Sequence, residues 1–298
     1  MYITTILLPL LNCTSCALKW TSEQQPVVQP PAGLAAPNDP HPKKPGHRRP
    51  VPELYYKRYS EQTFIGTHDA AAVRTEDNGW SISGNQYFNV STQLNAGVRL
   101  VQAQGHSDPQ GTDDIRLCHF NCALMDGGSL HDHLRHVKDF LNENPFEVVT
   151  LLFVNTGPAL RQWAKAYYDN GLDLMSYVPP AQKRNRNMRL EDWPTIAELV
   201  ESNQRLITFL SRGADEDLVP FLLPEFDYLF ETNFINDNPW EFGCDASRPW
   251  YGQHYTPNML ALVNHFLYAQ FLGFRYPNAT FANTTNKVHM EDDQTSCS

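Results

Sequence analysis

The sequence has no cluster of lysine and arginine in its globular part; 23 Lys and Arg stand against 33 Asp and Glu, a net charge of −10. Binding a phosphate backbone needs clustered cations, which argues against nucleic acid as a partner. Electrostatic steering toward an anionic membrane is not favoured either. Gly-x-Gly-x-x-Gly and Walker loops are missing, so a nucleotide-binding fold lacks its signature. There is no internal repeat, no second Cys or His pair at zinc-finger spacing, and no apolar tail suited to a lipid anchor. The apolar stretch from Ile3 to Leu11 is too short to span a bilayer.

That stretch has the length of a signal h-region, with small residues Ser15 and Ala17 before a cleavage point, although a basic n-region is missing. Residues 1–17 are therefore expected to be a signal peptide, with a strand as the alternative. Beyond them remain four cysteines: Cys118, Cys122, Cys244 and Cys297. An even number suits an oxidising compartment. Spacing does not fix the connectivity; the simplest sequential arrangement, Cys118–Cys122 and Cys244–Cys297, is the expectation. Sequons at Asn89, Asn278 and Asn283 make glycosylation part of the same secreted, extracellular reading.

Residues 18–52 are rich in Pro, Gln and Ala and read as a disordered leader, with Arg48-Arg49 as a candidate processing point. Residues 53–298 form the globular part, close to the usual size of a (β/α)₈ barrel. In it, "TFIG", "GVRLVQAQ" (97–104), "IRLCHF" (115–120) and "EVVTLLFV" (147–154) read as strands. Leu130, Leu134, Val137 and Leu141 repeat at helical spacing behind a Ser129/Asp132 capping box. "GPALRQWAKAYYDNG" predicts a helix ending near Gly171. A helix over 195–203 then leads into a strand over 205–210. "PNMLALVNHFLYAQFLG" predicts a late apolar helix. Strands alternating with helices imply parallel βα units.

Two of the eleven histidines follow strands: His68 after the first, in "TFIGTHDA", and His119 in "RLCHFNC". At the carboxyl ends of parallel strands both would face one mouth. A histidine pair suits phosphodiester cleavage, one ring taking a proton from the attacking oxygen and the other protonating the leaving oxygen. Asp69 is placed to orient His68 or to bind a cation.

"FIGTHDA", "LNAGVRLVQAQ" and "LCHFNCALMDGGSLHDHLRHVKDFLNENPFEVVTLLFVN" together resemble the X-domain of phosphatidylinositol-specific phospholipase C, nearest to fungal secreted phospholipase-C-like phosphodiesterases. The blocks "WPTIAELVESNQRLITFL", "EFDYLFET", "CDASRPW" and "NHFLY" extend the resemblance from about Thr63 to Asn286. It implies an irregular TIM-type (β/α)₈ barrel. It also implies that His68 deprotonates a headgroup hydroxyl while His119 protonates the lipid leaving oxygen. The substrate implied is a phospholipid or phosphoinositide headgroup, met by a monomer in transient contact with a membrane.

One departure stands out. Where the family's second strand carries an Asp-x-Arg pair, this chain has Gln102 and Gln104. Both share one face of the strand, opposite Arg99. They can donate hydrogen bonds to phosphate, or fill a polar layer, but they carry no charge. No cofactor is required by this reading. Calcium stays open through the calcium-dependent relatives, though two glutamines replace their carboxylates poorly. His106 and Arg116 are candidates to compensate for the lost arginine, Asp126 fits a helix-entry turn, and Asp227 is a candidate late-strand acid near His68. The competing reading is a catalytically weak barrel that binds headgroups as an extracellular glycoprotein.

Overall fold

The computed structural model describes residues 3–5, 7–8, 52–249, 258–271 and 274–277. In chain order these form β1 (Ile3–Thr5), β2 (Leu7–Leu8), α1 (Pro52–Tyr55), β3 (Ile65–Thr67), α2 (Val90–Asn95), β4 (Leu100–Ser107) and the hairpin β5 (Ile115–Cys118) and β6 (Asp126–Ser129). Then come α3 (Leu130–Glu143), β7 (Val149–Asn155), α4 (Leu160–Asn170), α5 (Ile196–Glu201), β8 (Leu206–Leu210) and β9 (Leu222–Pro224). The last elements are α6 (Glu225–Tyr228), β10 (Leu229–Glu231), β11 (Leu260–Leu262), β12 (Tyr268–Phe271) and β13 (Phe274–Pro277).

The expected alternation is present. β3, β4, β7, β8 and β9 run parallel as successive neighbours, and β10 runs parallel to β11. Among the described residues the strands divide into sheets of eight, three and two, so no single closed ring of eight forms. The hairpin β5–β6 branches antiparallel from the carboxyl end of β4, pairing Gly105 with Leu117. This insertion carries His119 to the mouth. Ahead of the globular part, β1 pairs antiparallel with β3 and β2 with β11.

Two apolar layers sandwich the parallel strands. Val101, Ala103, Leu151 and Phe153 face α3 and α4, where Leu130, Leu134, Val137, Leu141 and Trp163 are buried. Leu100, Leu152, Phe209, Leu223, Leu229 and Leu260 line the inner side with Trp193. Strand alternation therefore puts Gln102 and Gln104 on the inner side with Leu100. Gly105 allows this packing, because a Cβ there would lie 2.4 Å from the Trp163 ring.

Two local expectations are corrected. Ser129 caps α3 by accepting from the His131 N–H, at 3.0 Å, while Asp132 pairs forward with Arg135 and closes no capping box. The late apolar run forms strands β11 and β12 instead of a helix. A continuous apolar run does not distinguish the two by periodicity. Pairing with β10 decides for strand, and Asn264 interrupts the run by bonding to Thr232 and Glu231.

His133 on α3 is buried against Phe153, and its Nε2 has no hydrogen-bond partner among the described residues. Burial, aided by His136, lowers its pKa to about 4. The unfolded chain binds this proton near pH 6.5, so the fold loses stability as pH falls from 6.5 toward 4, on the order of 3 kcal/mol for this group. His133→Phe is expected to flatten that part of the melting-temperature profile, measured by thermal unfolding across pH 4 to 7.

Candidate active site

β3 ends in a buried turn. Thr67 Oγ1 donates to Gln93 Oε1 at 2.7 Å, and Gln93 Nε2 donates to the Ala70 carbonyl at 2.9 Å. Gln86 Nε2 donates to the His68 carbonyl at 2.6 Å. Asp69 takes a left-handed backbone, φ 44°, and its N–H donates to Gln102 Oε1 at 2.7 Å. Gln102 is thus committed to holding the turn. Gly127 on β6 approaches the same turn closely, since a Cβ there would meet the Ala71 carbonyl oxygen at 2.3 Å.

The turn brings four side chains onto one carboxylate oxygen. Asp69 Oδ2 lies 3.3 Å from His68 Nε2, 3.1 Å from His119 Nε2, 3.0 Å from Asn85 Nδ2 and 3.4 Å from Gln104 Nε2. The histidine rings stand edge to face with centroids 6.0 Å apart. His119 follows β5 inside the Cys118–Cys122 disulfide, whose Cα atoms are 4.9 Å apart. Its Nδ1 donates to the Ser83 carbonyl at 2.5 Å, which leaves Nε2 as the working atom. Phe120 stacks on this ring at 4.1 Å, and Phe266 stacks on His68 at 3.8 Å.

Burial lowers the His68 pKa to about 4; Asp69 and Glu231 oppose the shift, and His119 and Arg248 add to it. His68 is therefore neutral at pH 7. Asp69, Gln104 and His119 line a small, shallow depression.

Among the residues picked out from the sequence, His68, His119, Asp69, Gln102 and Gln104 come together. Asp227 does not: it pairs with Arg186 at 2.6 Å. Arg99 pairs with Glu147 at the opposite end of β4, and Arg116 with Asp126 at 2.7 Å on the hairpin. His106 is buried in part, its Nε2 has no hydrogen-bond partner among the described residues, and burial lowers its pKa. None of these supplies a cation at the histidines. Asn89 caps α2 from an exposed position, whereas Asn278, Asn283 and Cys297 lie outside the described residues. Cys244 is disulfide-bonded.

Calcium does not fit the donor set. It takes six to eight oxygens, whereas Asp69 Oδ2 already faces four nitrogens.

What the sequence did not single out is a second buried polar group beside His68. Glu231, at the end of β10, accepts from both Nε and Nη2 of Arg248 and from Asn264 Nδ2. Arg248 also lies over the Phe234 ring at 4.3 Å, and Phe234 packs on Phe266, the ring that covers His68. Burial pushes up the pKa of the neighbouring Glu225, and the Glu231 carboxylate adds to that rise. Burial opposes ionisation of Glu231 too, yet Arg248 together with hydrogen bonds to Glu225 and Asn264 holds that pKa low.

A parallel α/β fold whose strand ends present two histidines about one carboxylate defines the class. The chain belongs to the PI-PLC X family, whose model PI-PLC X 1 matches residues 54–298. It is 35% identical over 237 residues to PI-PLC X domain-containing protein 1 of Arthroderma benhamiae, covering 79% of this chain and 73% of that protein. An uncharacterized secreted protein of the same fungus is 32% identical over 242 residues, covering 79% of this chain and 52% of the relative. A phosphatidylinositol-specific phospholipase C from Listeria monocytogenes aligns at 17% identity with a TM-score of 0.49, over 75% of this chain and 78% of that one. No helix among the described residues is long and apolar enough to cross a membrane.

Proposed function

We propose that the chain is a secreted phosphoric diester hydrolase of the phospholipase C type, acting on a phospholipid or phosphoinositide headgroup. The observation that carries this reading is the convergence of His68 Nε2 and His119 Nε2 on Asp69 Oδ2, at 3.3 and 3.1 Å. A headgroup hydroxyl gives its proton to His68 as its oxygen bonds to phosphorus. The ester bond to the lipid oxygen breaks, and that oxygen takes a proton from His119 Nε2. Arg248 is the cation for the phosphate, in place of the arginine that Gln104 cannot be. The test is release of headgroup from phosphatidylinositol in mixed micelles, with calcium and with chelator. Turnover in both is expected; none in either supports the binding-only reading, which the uncharged Gln104 favours.

The rim fits a lipid substrate. Trp80, Ile82, Phe120 and Leu124 are exposed around His119. Ser81 Oγ ties the first loop to the second by donating to the Leu124 carbonyl at 2.9 Å. With little cationic charge available, apolar insertion is the means of surface contact. The triple variant Trp80→Ser, Ile82→Ser, Leu124→Ser is expected to bind neutral phosphatidylcholine vesicles about tenfold more weakly in co-sedimentation. Export is part of the same proposal, and the N-terminal sequence of the secreted form tests whether residues 1–17 are removed.

A further inference from the structure

Asn85 is 1% exposed and reaches two groups of the site with one nitrogen: Nδ2 is 2.9 Å from His68 Nδ1 and 3.0 Å from Asp69 Oδ2. A carboxylate oxygen only accepts, so the Asn85 atom facing it is the amide NH₂. The same NH₂ then faces His68 Nδ1, which must accept. A neutral imidazole has one proton, and it is left on Nε2, the atom that faces Asp69. Asn85 Nδ2 and Asp69 Oδ2 are 3.0 Å apart, on the same side of the ring, so it is the NH₂ at Nδ1 that sets the tautomer.

The surroundings hold this arrangement. The main-chain N–H groups of Asn85 and Gln86 donate to the Ala72 carbonyl at 2.9 and 3.0 Å, anchoring the loop beside the turn. Phe266 lies flat on the imidazole. Asn85 Oδ1 is buried with no hydrogen-bond partner among the described residues. Among the described residues, the charged and titratable groups facing His68 are Asp69, His119, Glu231 and Arg248.

We infer that Asn85 is a positioning residue that holds His68 as the Nε2–H tautomer, so that the ring rests as a donor and is base-competent only in a minor form. To accept the hydroxyl proton, Nε2 must present its lone pair, with the ring proton on Nδ1. That form needs Asn85 to turn its unpartnered Oδ1 onto Nδ1, giving up its N–H bonds to His68 and Asp69. After proton capture the imidazolium carries Nδ1–H on Asn85 Oδ1 and Nε2–H from the substrate. The kinetic consequence rests on the phosphodiesterase reading; the tautomer does not.

The test is a long-range proton–nitrogen correlation on the ¹⁵N-labelled full chain at pH 7, with the His68 signals assigned by their loss in His68→Ala. The wild type is expected to show His68 Nδ1 unprotonated and Nε2 protonated. Asn85→Asp puts an acceptor on Nδ1 and is expected to protonate it, whereas Asn85→Leu removes the donor without supplying an acceptor and is not expected to. Protonated Nδ1 in the wild type overturns the inference, as does an unchanged His68 in folded Asn85→Asp. Should Asn85→Asp fail to fold, the wild-type spectrum decides alone. In headgroup release, Asn85→Asp is expected to raise kcat about tenfold, the worth of one hydrogen bond no longer broken. A changed tautomer with no gain in rate supports the role of Asn85 and overturns that of His68 as base.

Discussion

His119→Ala is expected to lower turnover of phosphatidylinositol about 10³-fold, within the range that positioned acid–base groups supply. The residue is 1% exposed, with Nδ1 tied to the Ser83 carbonyl, so only Nε2 can deliver a proton. Its loss removes the acid for a poor leaving group, an alkoxide. A substrate with an acidic phenol as leaving group needs no such proton, and on it the defect should shrink to about tenfold. His68→Ala lacks the base instead, so it is expected to be equally slow on both substrates. Kinetics of the two variants on the two substrates check the assignment, and a His119→Ala defect independent of the leaving group overturns it. Melting temperatures should change little, because Asp69 keeps the Asn85 N–H when either ring is truncated.

Arg248→Ala is expected to be the most destabilising single change in the site. Glu231 is 1% exposed and is held ionised by Arg248 with Glu225 buried beside it. Removing one partner of a buried pair strands the other, at a cost of about 3–5 kcal/mol. For a domain of this size that is a fall of roughly 10 °C in melting temperature. Stability and rate are separated by Arg248→Gln combined with Glu231→Gln, which removes both charges together. That pair is expected to recover most of the melting temperature and still lose about 10²-fold in rate, as when a transition-state donor is removed. Adding Gln104→Arg then restores a cation from β4 and should return part of the activity. A double variant with wild-type rates assigns Arg248 to the fold alone.

Local patterns in the sequence were informative where local physics decides. The strand end followed by Thr67-His68-Asp69 located His68, because the carboxyl ends of parallel strands converge whatever the loops do. His119 was expected on the same ground, but β5 runs antiparallel to β4, and it is the hairpin that brings this ring to the site. The heptad-like spacing of Leu130, Leu134, Val137 and Leu141 located α3, because helical periodicity is local. What could not be read were partners that meet only after folding. Ser83 reaches His119 across 36 residues, and Asn85 reaches His68 across 17, from a loop with no period of its own. Arg248 sits in "CDASRPW", where nothing marks one arginine as a site residue until β10 brings Glu231 to it. Asp227, chosen as the late acid, lies four positions before Glu231, and only the chain's path decides which of the two turns inward.

The oxygen shared by both rings has a consequence for the full cycle. On the proposed phosphodiesterase reading, attack by a headgroup hydroxyl closes a cyclic phosphate, and in its opening by water the histidines would exchange duties: the one that gave a proton would take one. With Asp69 Oδ2 almost equidistant from the two Nε2 atoms, the positive charge can change sides while the anion that balances it stays where it is. On that reading the carboxylate would work as a fulcrum between the two rings. The asymmetry lies at the outer ring nitrogens, a carbonyl behind His119 and an amide NH₂ behind His68, and the NH₂ disfavours charge on His68.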